Sequence, residues 1–266
     1  MKGESERPRI IMNSERTSLN NRPGRWEERS TTDPSASPAH RSGFTLIELL
    51  VVIGIIALLA SLVVGLTAHA ARKMRESRIR GELEQIATAI DAYHAHFNQY
   101  PPDNVVSKDP LVVNPVTNSL YYELTGVVVD DRGNRFRSPN RQQWIGASTV
   151  SSLFNADGFV NAGVNPKEIK SFLPSLTSAQ HKLILKSPVD VEVLAVAVDW
   201  PLNNPLFPPP FNFNSPDPNV KRINPVRYVA SPHATNNPAT FDLWAEYVEG
   251  KKVKIICNWS KDILEK

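Results

Sequence analysis

From Phe44 to Ala71 the chain carries one formally charged residue, Glu48. A bilayer core takes roughly 20 apolar residues at about 1.5 Å each, and residues 44–66 supply them. The segment divides the chain. The residues before it read as removable, and those after it read as a folded body that the segment carries. A secretory signal has a shorter apolar core that ends at a small-residue cleavage site. Here the small residue, Gly43, stands before the apolar run, with Arg41 just ahead of it. A cut at Gly43 leaves the hydrophobic segment on the mature protein.

Glu48 is the informative residue within the run. A carboxylate at the centre of a membrane helix costs on the order of 2.5–3.5 kcal/mol and usually faces a partner. Glu48 falls in the first turn, where the helix dipole returns about 0.3–1 kcal/mol. Two readings stay open on this basis. It is an acid at a helix start near an interface, or a carboxylate that meets an opposite charge.

The run Gly43-Phe44-Thr45-Leu46-Ile47-Glu48-Leu49, followed by Leu50-Val51-Val52-Ile53, resembles the cleavage and methylation motif of type IV prepilins and type II secretion pseudopilins. The resemblance covers the motif and the whole apolar helix. It implies that a membrane aspartic peptidase, the prepilin peptidase, cuts between Gly43 and Phe44. It also implies that the new amino group of Phe44 is methylated, and that the segment becomes the core of a helical filament of like subunits. Glu48 then neutralises the terminal amine of a neighbour. A buried carboxylate and ammonium are tolerable as a pair, and removing one strands the other. Gly54 and Gly65 suit a transmembrane helix but do not make a GxxxG spacing.

The implied fold is α+β and pilin-like. A long N-terminal helix, part transmembrane and part amphipathic, packs on a small antiparallel sheet with long loops. The chain then divides into a cleaved leader (1–43), the long helix (44–100, membrane-embedded over about 44–66) and a globular pseudopilin-like domain (101–266). The resemblance places the protein in a bacterial inner membrane as a single-pass subunit with its body in the periplasm. Membrane lipid and an inner-membrane assembly platform are then its further partners.

The chain has 266 residues, enough for one or two domains, and a net charge of +3. With a mean hydropathy of −0.28 it is not a polytopic membrane protein. No dense Lys/Arg patch interleaves with aromatics, so nucleic acid is not an expected partner. The single cysteine, Cys257, cannot form an intrachain disulfide. It sits in the apolar run 253–257 and reads as a buried strand residue.

Residues 1–43 are polar, contain Pro8, Pro23, Pro34 and Pro38, and show no apolar periodicity, a composition that favours disorder. The stretch is long for a prepilin leader, and Met12 is an internal candidate start. Arg72, Lys73, Arg75, Arg78 and Arg80 come after the apolar run. By the charge rule alone they place the body in the cytoplasm. The prepilin motif places it outside, with the basic cluster against anionic headgroups.

Ile79, Leu83, Ile86, Ile90, Tyr93 and Phe97 recur at alternating spacings of four and three, one apolar stripe on a helix. Arg78, Glu82, Glu84, Gln85 and Asp91 occupy the other face. Pro101 and Pro102 end the helix. His94 and His96, two apart, point to different sides of it and read as no metal site.

In the remainder, strands are expected at 126–130, 191–198, 226–230, 241–248 and 252–257, with Glu249-Gly250-Lys251 as a hairpin turn. Residues 178–186 read as a short helix capped by Thr177 or Ser178. Residues 199–225 contain eight prolines and read as a long surface loop, carrying Phe207, Phe211 and Phe213. Asp199-Trp200-Pro201, 224–228, Ser231-Pro232, 241–244 and Asn258-Trp259 are similar to the pseudopilin pattern around its sheet strands. The family's calcium loop is rich in Asp and Gly. Here Glu246, Glu249 and a single Gly250 stand beside Lys251, Lys252 and Lys254, which repel a cation, so no metal and no other cofactor is expected.

No Ser/His/Asp motif, phosphate loop, HExxH or CxxC appears, and no catalytic residue is assigned. The expected function is a non-enzymatic structural subunit of a secretion pseudopilus or related pilus-like filament that supports protein export. The alternatives are a minor pilin or competence-type subunit that binds DNA or a surface, and a membrane-tethered binding protein or enzyme.

Overall fold

The computed structural model describes residues 43–106, 112–185, 190–202, 204–210 and 218–266, with the side chains of 63–66, 68, 185 and 218 excepted. The 1–42 leader lies outside the described residues, as do Phe211 and Phe213. The chain divides into two units, residues 1–55 and residues 56–266. Helix α1 (Leu46–Phe97) contributes to both.

In the second unit the apolar stripe predicted from spacing is the core face of α1. Ile79, Ile90 and Tyr93 are fully buried and Leu83 and Ile86 nearly so. Each such aliphatic side chain stabilises by about 1.5–3 kcal/mol when taken out of water. The helix stops at Phe97, four residues before Pro101. Asn98 takes the left-handed conformation (φ 55°) and its N–H closes on His94 O at 2.8 Å. That is a helix C-terminus in which Asn replaces the usual Gly. Gly81 lies within the helix and does not interrupt it.

Glu82 departs from its expected place on the polar face. It is 9% exposed, and its Oε2 accepts from Ala197 N at 3.0 Å. Gln85 likewise meets Gln180, whose Nε2 donates to it at 3.1 Å. The polar side of α1 is therefore partly a second packing face.

A short helix α2 (Leu120–Thr125) comes next, then β1 (Val127–Val129), β2 (Arg135–Arg137), β3 (Ile145–Gly146), α3 (Ala147–Phe154) and β4 (Ala162–Gly163). These four strands form one sheet in the order β3-β2-β1-β4, antiparallel except for the parallel β1–β4 pair. Gly126 closes α2 at φ 81°, where a Cβ would stand 1.9 Å from Ile169 Cγ2.

β5 (His181–Leu185) pairs antiparallel with β6 (Val191–Leu194). The helix expected over 178–186 is thus corrected to a strand. Thr177 and Gln180 make a turn instead of a cap: Gln180 N–H donates to Thr177 O, and Gln180 Oε1 accepts from Thr177 N and Oγ1. Pairing with an entirely buried β6 outweighs the local helix propensity of Ala, Gln, Lys and Leu.

The expected loop at 199–225 is also more than a surface excursion. It contains the short helix α4 (Pro218–Lys221), and Trp200, Val220, Ile223 and Asn224 in it are buried. Phe207 is half-buried, and its carbonyl accepts from Trp200 Nε1 at 3.3 Å.

The last sheet contains β7 (Arg227–Ala230), β8 (Phe241–Glu249), β9 (Lys252–Cys257) and β10 (Leu264–Glu265), antiparallel in the order β10-β9-β8-β7. Gly250-Lys251 is a two-residue hairpin turn between Glu249 and Lys252, with Gly250 at φ 62° as such turns require. Leu243, Ala245 and Tyr247 alternate onto one face of β8 and join Tyr228, Ile256 and the α1 stripe in one core. Cys257 is buried and unpaired. Among the described residues the expected single small sheet is therefore joined by two others.

Buried polar groups brace the loops between these layers. Asn224 Nδ2 donates to Val198 O and Glu246 O, Asn118 Nδ2 to Pro115 O and Val226 O, and Asn161 Nδ2 to Glu123 O and Lys170 O. Glu123, 1% exposed, accepts from Tyr93 Oη at 2.9 Å and from Val160 N and Asn161 N at 3.0 Å. Burial pushes its carboxyl up, while those donors pull it down. Glu123→Leu strands three donors at about 1–3 kcal/mol each. It is expected to lower the melting temperature by about 10 °C or more, whereas Glu123→Gln keeps an acceptor and loses less. Calorimetry of both variants checks this, and equal, small shifts contradict it.

Candidate functional site

The segment singled out from sequence starts in the first unit and runs on into the second. Gly43, Phe44 and Thr45 are not helical, and Gly43 has no heavy atom within 4 Å of where a Cβ would stand. Phe44 is 87% exposed. The Gly43–Phe44 bond therefore lies in exposed, non-helical chain just before α1, open to a peptidase at both of these residues.

Thr45 and Glu48 start the helix together. Glu48 Oε2 accepts from Thr45 N–H at 2.8 Å and from Thr45 Oγ1 at 2.9 Å, and Glu48 N–H donates back to Thr45 Oγ1 at 3.3 Å. This is a capping box, in which residues three apart satisfy each other's end groups. The Thr-x-x-Glu spacing at 45–48 carries that signal and was open to sequence reading. It gives Glu48 a local task that does not depend on a second subunit. A cut before Phe44 leaves every atom of the box in place.

The apolar side chains behind the box are uncovered. Phe44, Leu46, Ile47, Leu49 and the described large apolar residues on to Leu62 are each about half exposed or more, Val52 being the lowest at 48%. An all-round apolar helix needs lipid or protein around it. Among the described residues, no helix is long and apolar enough to cross a membrane. The side chains of 63–66, the end of the expected 44–66 span, lie outside the described residues, so the described apolar run stops at Leu62.

The basic cluster after that run is held by the body. Arg72 Nε meets Glu249 Oε1 at 2.7 Å, Arg78 Nε meets Glu82 Oε1 at 3.2 Å, and Arg80 Nη2 donates to Lys261 O at 2.8 Å. Glu76, itself 3.9 Å from Lys73, accepts from Tyr247 Oη at 3.1 Å. The Arg72–Glu249 and Glu76–Tyr247 contacts tie α1 to β8, the Arg80 bond ties it to the segment after β9, and the Arg78–Glu82 pair lies within α1 itself. The cluster is thus not simply a headgroup-facing patch, as its sequence suggested.

Among the described residues, no group of three or more His, Cys, Asp or Glu is placed to hold a metal ion. Around the β8–β9 turn, Glu246 is drawn to Arg227 (3.4 Å) and Glu249 to Arg72, while Lys252 and Lys254 both bind Glu265. His94 stacks on Tyr100 and His96 lies against Phe97, in separate environments.

Residues 38–64 match the family model described as the prokaryotic N-terminal methylation motif. The match marks a type IV pilin-like subunit, one whose motif implies processing by a prepilin peptidase and assembly into pilus-like filaments. Neither a curated protein nor a solved structure matches the chain.

Proposed function

We propose that the chain is a non-enzymatic structural subunit of a type II secretion pseudopilus or a closely related filament. In this reading it is cut between Gly43 and Phe44 and methylated on the Phe44 amine. Residues 44–66 sit in the inner membrane before assembly, with the body on the periplasmic side. An assembly platform then moves the subunit into the filament, where the apolar run is covered by like subunits. Glu48 pairs with the Phe44 amine of a neighbour.

The observation that carries this reading is the uncovered apolar helix directly behind an open Gly43–Phe44 junction. A surface of that kind needs a partner environment, and the motif supplies both a membrane and a filament. Asn98-Gln99-Tyr100-Pro101, which resembles the helix end of the major pseudopilins, and the Trp244–Trp259 pair, 5.6 Å apart, favour the secretion filament over a DNA-binding minor pilin.

Processing tests the proposal. Gly43→Glu puts a long charged side chain where the peptidase accepts a small residue. The variant is expected to accumulate at full length in the membrane and to yield no sheared filaments. A normally shortened product in that variant contradicts the assigned cut.

A further inference from the structure

We propose that the tip of the β8–β9 hairpin, together with Arg75 of α1, is a second membrane contact that takes anionic phospholipid headgroups. The inference rests on the reading of residues 44–66 as membrane-embedded, and it adds a face of the body to that anchor.

The contacts between β8 and α1 set the height of the tip. Tyr247 Oη donates to Glu76, and two residues on, Glu249 meets Arg72. Four residues of helix and two of strand both advance about 6–7 Å, so β8 runs down α1 towards the apolar run. The Gly250-Lys251 turn projects one step further, to about the level of residue 70. The chain there, Thr67-Ala68-His69-Ala70-Ala71, carries small side chains and no acidic group. From residue 66 to that level is about 6 Å along the helix. The headgroup layer is about 5–8 Å thick on each side of the hydrocarbon. With α1 along the bilayer normal, the turn therefore meets the outer edge of that layer, and a flexible lysine stem reaches into it.

The charge at this end of the body suits an anionic surface. Six basic groups, Arg72, Lys73, Arg75, Lys251, Lys252 and Lys254, meet three carboxylates, Glu76, Glu249 and Glu265, which leaves a surplus of three positive charges. Glu246, one level up, is balanced by Arg227 and Lys266. Arg75 and Lys251 carry much of the surplus: both are exposed, and neither pairs with a carboxylate among the described residues. Arg75 is close enough to the Tyr247 hydroxyl to act on it electrostatically, which puts it on the hairpin side of α1. Gly250, at φ 62°, has no heavy atom within 4 Å of where a Cβ would stand, so no part of the body covers the turn. A single helix fixes the height of the body and not its rotation about the helix axis. The hairpin contact fixes which face rests on the bilayer.

The test uses the full chain reconstituted in vesicles of phosphatidylcholine and of an equal mixture of phosphatidylcholine and phosphatidylglycerol. Pulsed hydrogen exchange, read by mass over residues 248–253, is expected to be about tenfold slower or more at the turn in the mixed vesicles, since each Lys or Arg near an anionic surface is worth about fivefold. Lys251→Gln and Arg75→Gln are each expected to reverse about fivefold of the slowing and to keep the melting temperature. Lys167→Gln, exposed in the loop after β4, is expected to change nothing. Salt at about 1 M is expected to return the wild type to its rate on phosphatidylcholine. Equal exchange in the two kinds of vesicle overturns the contact. So does equal slowing in the wild type and Lys251→Gln, which is what surface potential without contact produces. Either result in a chain that stays with phosphatidylcholine vesicles through an alkaline wash overturns the hairpin contact alone. Loss of the chain in that wash overturns the membrane-embedded reading, and the contact with it.

Discussion

Ile90→Asp abolishes the cooperative folding of the body. Ile90 is fully buried on the inner stripe of α1, between Ile86 and Tyr93 and in the same core as Leu243 and Tyr247 of β8. The substitution removes an aliphatic side chain worth about 2–5 kcal/mol in a packed core and places an uncompensated carboxyl there, which costs several kcal/mol more. Together these rival the roughly 5–15 kcal/mol that holds an ordinary domain together. Ala92→Asp is the matched control, because Ala92 is exposed on the same helix two residues on. Surface changes of that kind stay within about 0.5 kcal/mol. Thermal unfolding is expected to show a normal transition for Ala92→Asp and none for Ile90→Asp. Matching transitions for both contradict the placement of the stripe.

Glu48→Gln and Glu48→Val both abolish filament yield while leaving the body folded. Two roles compete for this carboxylate, and the structure makes them separable. In the capping box it accepts from Thr45, a role worth about 0.5–2 kcal/mol that an amide oxygen also performs. In the proposed filament it neutralises a neighbour's amine. Removing one partner of a buried pair costs about 3–5 kcal/mol, over a hundredfold for each subunit added. Thr45→Ala weakens the cap and leaves the charge. Sheared-filament yields at equal membrane levels are therefore expected to be near normal for Thr45→Ala and near zero for both Glu48 variants. Full yield from Glu48→Gln contradicts the pairing and returns Glu48 to a capping role.

The parts of this protein that were legible in sequence are those where one local pattern decides the outcome. The alternating three- and four-residue spacing from Ile79 to Phe97 has a single helical solution that buries it. The Gly250 turn allows a tight hairpin, so β8 and β9 were readable to within a residue or two. The Gly43–Phe44 motif is readable because its residues are specific in type and order.

Legibility ends where the partner is distant in sequence. His181–Leu185 has helix-forming residues and becomes a strand because β6 lies beside it. Glu82 reads as a solvated helix residue and is buried because Ala197 N–H, far along the chain, comes to meet it. Asn118, Asn161 and Asn224 look like loop composition, and only the fold shows that each bridges two carbonyls. Glu192 has the same character, since its partners Arg141 (2.6 Å) and His181 (2.9 Å) come from two other segments and share no spacing with it.

The most direct measurement is the intact mass of the protein extracted from the inner membrane of cells with an active prepilin peptidase. The expected species is residues 44–266 plus one methyl group, with the methyl on the Phe44 amine in the fragment spectrum. A full-length or otherwise trimmed chain, or an unmodified Phe44 terminus in assembled material, contradicts the assignment of a processed filament subunit.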